Sequence, residues 1–226
     1  MPVFRLSGKY IFPPTHLAEP DGLLAIGGDL SPARLITAYA NGIFPWYSGD
    51  DPILWWSPAP RLVLFPEEFH LPRSLQRTIN RQRFNVTADR AFAEVIASCA
   101  NAPHRKEQGT WITPAMQQAY STLHELGFAH SIESWQDGEL SGGLYGVCID
   151  NFFFGESMFT KVTDGSKVAL AALVAAAPKL GINIIDCQMT TAHLLRFGAR
   201  EISREVFQEQ LEANIDQCRP QKKWCL

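Results

Sequence analysis

The chain has 226 residues, 46% of them hydrophobic and 19% charged, a balance that supports a folded core and excludes an extended disordered chain. Its formal net charge of −3 excludes general electrostatic attraction to nucleic acid, so any RNA contact must come from a local basic patch. No stretch approaches the roughly 20 apolar residues that span a bilayer, and the start Met1-Pro2-Val3-Phe4-Arg5 lacks a basic region followed by an apolar run, which points to a cytoplasmic protein.

The first 62 residues are rich in Pro, Gly and Trp, and one helix stands out. Ser31 is placed to cap it, Pro32 lies in its first turn and Asn41-Gly42 stops it. Phe44, Trp46, Trp55 and Trp56 crowd a segment too short to bury them alone. A small domain over 1–62 packed against a larger one over 63–226 is therefore expected. The spacing of Leu71, Leu75 and Ile79 predicts an amphipathic helix over 70–80 whose outer side carries Arg73 and Arg77, with Arg81 and Arg83 extending the cluster. A second helix is expected over 91–99. A third is marked by Thr113-Pro114 at its start and Gly127 at its end.

The period then changes to two. Runs over 130–135, 140–149 and 152–159, punctuated by Asp137-Gly138 and Asp150-Asn151, predict an antiparallel meander of three strands. An alanine-rich helix capped by Ser166 and ending near Pro178, a buried strand over 182–187, a short helix over 192–197 and a last amphipathic helix over 204–216 complete an α+β chain.

Several familiar sites can be set aside. Ser157 lies in Gly-Glu-Ser-Met-Phe, where Phe159 replaces the second glycine of a nucleophile elbow. Gly165-Ser166-Lys167 lacks the order and upstream glycine of a phosphate loop. The six histidines show no metal-ligand spacing, and the five cysteines form no C-x-x-C pair, so neither metal nor disulfides are expected.

Seven segments together resemble the bacterial leucyl/phenylalanyl-tRNA-protein transferases: Gly22-Leu-Leu-Ala-Ile-Gly-Gly-Asp-Leu-Ser-Pro32, Gly42-Ile-Phe-Pro-Trp46, Trp55-Trp-Ser-Pro58, Gly109-Thr-Trp-Ile-Thr113, Ala129-His-Ser-Ile-Glu133, Gly155-Glu-Ser-Met-Phe159 and Ile185-Asp-Cys-Gln188. The stretch 102–108 departs from the family pattern and reads as a surface loop. The resemblance implies a small N-terminal domain and a C-terminal domain similar to the N-acetyltransferase (GNAT) superfamily fold. It also implies a reaction without cofactor: Leu or Phe, less readily Met, passes from aminoacyl-tRNA to proteins beginning with Arg or Lys, tagging them for degradation.

The resemblance assigns catalysis or acceptor positioning to Glu156, Asp186 and Gln188. Asp186 and Gln188, two apart on a strand, should share one face. Asp186 is then the expected proton-handling group, Gln188 orients the attacking amine, and Glu156 serves the cationic acceptor or the amino group of the donor. Met158, Leu170 and Ile185 are expected to line a pocket for the Leu or Phe side chain. Trp46, Trp111 and Phe153 are expected to stack on the terminal adenosine, and Arg73, Arg77, Arg81 and Arg83 to meet tRNA phosphates. Two rivals remain, an acetyl-coenzyme A-dependent acyltransferase and a non-catalytic RNA-binding relative. The first would ask for a glycine-rich loop before Ser166, presenting several backbone N–H groups, whereas Met158 to Gly165 contains only one glycine.

Overall fold

The computed structural model describes residues 3–49, 51–102 and 110–226; all but the first residue of the expected 102–108 loop lies outside them. The N-terminal segment forms a four-stranded sheet from β1 (Phe4–Leu6), β2 (Leu23–Gly27), β3 (Phe44–Pro45) and β4 (Leu54–Trp56), in the order β1-β2-β4-β3. Helix α1 (Pro32–Ala40) lies between β2 and β3. Ser31 occupies its N-cap position, but the hydroxyl makes no capping bond. The aspartate two residues earlier takes over the local turn, its carboxylate accepting from Ser31 N.

Arg34, on the inner face of α1, explains much of this segment. Its guanidinium donates to Asp29 and to the carbonyls of Ser7 and Lys9, so it ties the first strand to the helix while fully buried. Gly28 lies against it at positive φ, where a Cβ would come within 3.0 Å of Arg34 Nε. Arg34→Ala removes several hydrogen bonds to a charged group and is expected to cost about 2 kcal/mol. The check is a lower urea midpoint with an unchanged slope.

A seven-stranded sheet follows. Its strands are β5 (Arg61–Leu64), β6 (Asn85–Ala88), β7 (Ala129–Gln136), β8 (Glu139–Ile149), β9 (Phe152–Thr160), β10 (Ile184–Gln188) and β11 (Arg200–Ile202), in the order β11-β5-β10-β9-β8-β7-β6. The expected meander is its centre, β7-β8-β9. Every pairing is antiparallel except β9 with β10. That parallel pair needs a crossover, which α5 (Gly165–Leu180) supplies.

Alternation along the strands sends side chains into two cores. Val63, Phe152, Phe154 and Ile184 join one, with α1, α3 (Phe92–Ala100) and α4 (Pro114–Glu125). Leu62, Leu64, Phe153 and Ile185 join the other, with α5 and the single buried residue, Leu75, of α2 (Arg73–Asn80). Among the described residues, the other α-helices are α6 (Ala192–Leu195) and α7 (Arg204–Asn214).

Some expectations are corrected by local chemistry. The helix expected over 70–80 begins only at Arg73 because Pro72 sits at its N-cap. Ser166 does not cap α5; Asp164, with φ of +73°, holds that position and Ser166 is the second helical residue. Pro178 lies inside α5, which ends at Gly181. Thr113 does cap α4, accepting from Met116 N at 3.2 Å.

The Ala129–Glu133 motif serves the frame. Asp89 accepts from His130 Nδ1, Ser131 N and Trp224 N. Buried Glu133 accepts from the Ser131 and Thr87 hydroxyls and lies near the backbone N–H groups that open α3.

Candidate active site

Two bulges in adjacent strands build the site. Between β8 and β9 the register slips so that Tyr145 faces Ser157 and Gly146 faces Gly155, which leaves Glu156 as the extra residue. Between β10 and β5 it slips from Asp186 to Gln188, which leaves Cys187 extra. Bulges re-aim side chains that strict alternation would send elsewhere. Asp186 and Gln188 consequently do not share a face.

Asp186 is fully buried and held by Arg61 through a two-point ion pair, Nε to Oδ1 at 2.8 Å and Nη2 to Oδ2 at 2.7 Å. Its Oδ1 also accepts the Gln188 backbone N–H at 2.9 Å. That bond supports the left-handed backbone of Gln188, φ +55°, a conformation that costs a non-glycine residue about 1 kcal/mol or more. Arg61 lies over the rings of Phe44 and Phe207, whose π faces offset the burial of its charge. The expectation that Asp186 handles the proton is therefore corrected: both its oxygens are committed, and it is closed off from solvent.

Glu156 sits at the centre of a hydrogen-bonded cluster. Tyr39 donates to its Oε1 at 2.8 Å, Tyr120 to its Oε2 at 3.0 Å, and Gln188 Nε2 to Oε1 at 3.2 Å. The two tyrosine hydroxyls also touch each other. Burial pushes the Glu156 carboxyl up to about 7, with the tyrosine hydrogen bonds and Arg61 opposing and the Asp186 charge reinforcing the rise. Burial, with Glu156 alongside, also holds both tyrosines well above their ordinary value. They are therefore hydroxyl donors at neutral pH.

Two cavities meet here. One of about 500 Å³ is walled by Leu144, Phe153, Met158, Leu170, Leu173 and Ile185, with Glu156 and Gln188 at its edge. The other, about 250 Å³, is bounded by Phe44, Trp46, Trp111 and Met189 and reaches the same Glu156 and Gln188. Met158, Leu170 and Ile185 thus come together as an apolar lining. Trp46 and Trp111 come together in the second cleft. Phe153 does not join them: it is 1% exposed and lines the apolar cavity. Its expected stacking on the adenosine is corrected because the alternation of β9 turns it to the opposite core.

Arg73, Arg77, Arg81 and Arg83 are exposed along α2 and the loop after it and make no ion pair among the described residues. Tyr39, Tyr120 and Arg61 escaped the sequence reading because they reach Glu156 and Asp186 from distant elements. No group of three or more His, Cys, Asp or Glu side chains among the described residues is arranged to hold a metal, and no helix among them is long and apolar enough to cross a membrane.

A carboxyl poised near neutrality between an apolar and an aromatic cavity suits an enzyme that moves a proton beside a bound apolar group. The comparisons specify the class. Residues 63–212 match the leucyl/phenylalanyl-tRNA protein transferase family and residues 28–59 match the N-terminal domain of the same transferases. The chain is 57% identical over 224 residues to the leucyl/phenylalanyl-tRNA–protein transferase of Syntrophobacter fumaroxidans, covering 99% of this chain and 96% of that one. It is 54% identical to that of Nitrosospira multiformis, covering 97% and 95%, and 59% identical to that of Aromatoleum aromaticum, covering 89% and 86%.

The chain belongs to the leucyl/phenylalanyl-tRNA protein transferase family. Among solved structures, a GCN5-related N-acetyltransferase from Kribbella flavida is 11% identical with a TM-score of 0.41, covering 76% of this chain and 61% of that one. A conserved protein of unknown function from Bacteroides thetaiotaomicron is 10% identical with a TM-score of 0.45, covering 61% and 54%.

Proposed function

We propose that this protein transfers leucine or phenylalanine, and less readily methionine, from aminoacyl-tRNA to the N-terminal amine of proteins beginning with Arg or Lys. The tagged proteins are then degraded in the cytoplasm. The observation that carries the reading is the junction of the apolar cavity and the tryptophan cleft at Glu156 and Gln188. The donor side chain enters the apolar cavity, where each buried methylene contributes about 0.8 kcal/mol. The terminal adenine stacks on Trp46 and Trp111, which leaves the ester carbonyl near Glu156.

The acceptor amine, with an ordinary pKa of about 7.7 to 8.0, is partly neutral already. Its nitrogen attacks the ester carbonyl and passes a proton to Glu156. The ester C–O bond breaks, the ribose oxygen takes that proton, and a peptide bond remains. Gln188 orients the amine, and Asp186 holds the backbone that aims Gln188.

The test is mass spectrometry of a peptide beginning with Arg after incubation with the protein and Phe-tRNA or Leu-tRNA. A mass gain of one Phe or Leu is expected, and none when the peptide N-terminus is acetylated. Failure to transfer from either donor would refute the reading.

The arginines of α2 and its following loop contact acceptor-stem phosphates in this reading. Replacing Arg73 and Arg77 together by Gln is expected to raise KM for the charged tRNA. The log–log salt dependence of binding should become shallower by about two, one for each lost contact. An unchanged slope would remove those two residues from the RNA-binding surface.

A further inference from the structure

We infer that Trp224, on the chain beyond α7, sets the size of the apolar cavity by backing its Phe153 wall. The inference rests on the functional reading above.

Residues 215–226 run back over the β8–β9 turn as a fastened strap. The Asp150 carboxylate in that turn accepts four successive backbone N–H groups, from Asp216, Gln217, Cys218 and Arg219, at 2.8 to 3.1 Å. Gln221 is tied to Gly127 O through its backbone N and to Asp150 O through its side chain. Trp224 N then donates to Asp89 Oδ2 at 2.7 Å, and the indole N–H donates to Gln221 Oε1 at 2.8 Å. With these bonds the indole has little rotational freedom. It lies flat on His130, ring centroids 4.1 Å apart, and is 3% exposed.

The indole also meets the Phe153 ring, with centroids 5.8 Å apart. Phe153 is confined from a second side as well, since a Cβ on Gly146 would lie 2.5 Å from its Cζ. Between these two limits the ring forms part of the cavity lining with Leu144 and Leu170. Trp224 itself does not line the cavity. It is a positioning residue: removing it leaves a void behind Phe153, into which the ring can withdraw and so deepen the space open to a donor side chain.

The segment also lies past residue 212, where the family match ends. Neither the seven motifs nor the spacing of the pocket residues would have drawn attention to it.

The test compares kcat/KM for tRNA charged with leucine and with 2-naphthylalanine, which is bulkier than Phe, in the wild type, Trp224→Ala and Trp224→Phe. A ratio between donors does not depend on the fraction of enzyme that is folded, so a merely stabilising Trp224 would leave it unchanged. The expected result is a shift toward naphthylalanine of at least about tenfold in Trp224→Ala, on the scale of one to several methylenes in an apolar pocket, and a smaller shift in Trp224→Phe. Asp150→Ala unfastens the strap without touching the cavity lining and should shift the ratio in the same direction. Unchanged ratios in Trp224→Ala and Asp150→Ala, with an active wild type, overturn this inference and leave the functional reading intact. A wild type that transfers neither residue overturns the functional reading and this inference with it.

Discussion

Glu156→Gln is expected to lower kcat for transfer by on the order of 10²- to 10⁴-fold, the range over which a positioned general base contributes. Glutamine keeps the size and can still meet Tyr39 and Tyr120, but it takes no proton. The pH dependence separates this loss from misfolding. In the wild type the rate rises with pH as Glu156, held at about 7 by burial, becomes able to accept, and it rises further as the amine loses its proton. The variant should lose the inflection near 7 and keep only that of the amine.

Stability carries the opposite sign. The folded pKa of Glu156 lies above its ordinary value of 4.5, so between the two values the native state binds more protons than the unfolded chain. The contribution of this group is fully present below 4.5 and is lost as pH rises through about 7. In Glu156→Gln that dependence should disappear from urea midpoints measured across the same window. A retained inflection in both rate and stability would assign them to another group.

The second large effect falls on the Arg61–Asp186 pair. Asp186→Ala leaves a buried guanidinium without its carboxylate, and breaking such a pair costs roughly 3–5 kcal/mol. Thermal melts should show a marked fall in Tm. Replacing both residues by leucine removes the uncompensated charge and is expected to recover much of that stability. It should not recover the transfer rate, because the Gln188 backbone N–H still lacks the oxygen that supports its left-handed turn. If the double variant regained the wild-type rate, Asp186 would have no positioning role.

The same pair shows what the sequence could disclose. Helices with punctuation were legible: Thr113-Pro114 and Gly127 bracket α4, and the Asp137-Gly138 turn joins β7 to β8. These signals are local, since a cap or a turn needs only its neighbours. Strands β5, β6 and β11 were not foreseen, because three or four residues carry too little alternation to announce themselves.

At the site, Glu156 and Gln188 were nameable through the motifs that contain them, but their division of labour was not. Period-two reasoning placed Asp186 beside Gln188, and the extra Cys187 between them sends Asp186 inward to Arg61 instead. Tyr39 and Tyr120 stand 117 and 36 residues from Glu156, a juxtaposition that only the folded sheet and its two covering helices create. Phe153 was misplaced for a related reason: its neighbours Phe152 and Phe154 face one core while it faces the other.

The junction of the two cavities is tested most directly by a crystal structure with phenylalanyl-adenosine in which an amide replaces the 3′-ester. The expected density places the phenyl ring among Met158, Leu170 and Ile185, the adenine against Trp46 and Trp111, and the amide carbonyl carbon within about one van der Waals contact, 3–3.5 Å, of a position from which an amine could hydrogen-bond Glu156. An adenosine bound elsewhere, or a phenyl ring outside the apolar cavity with Glu156 remote from the amide, would contradict it.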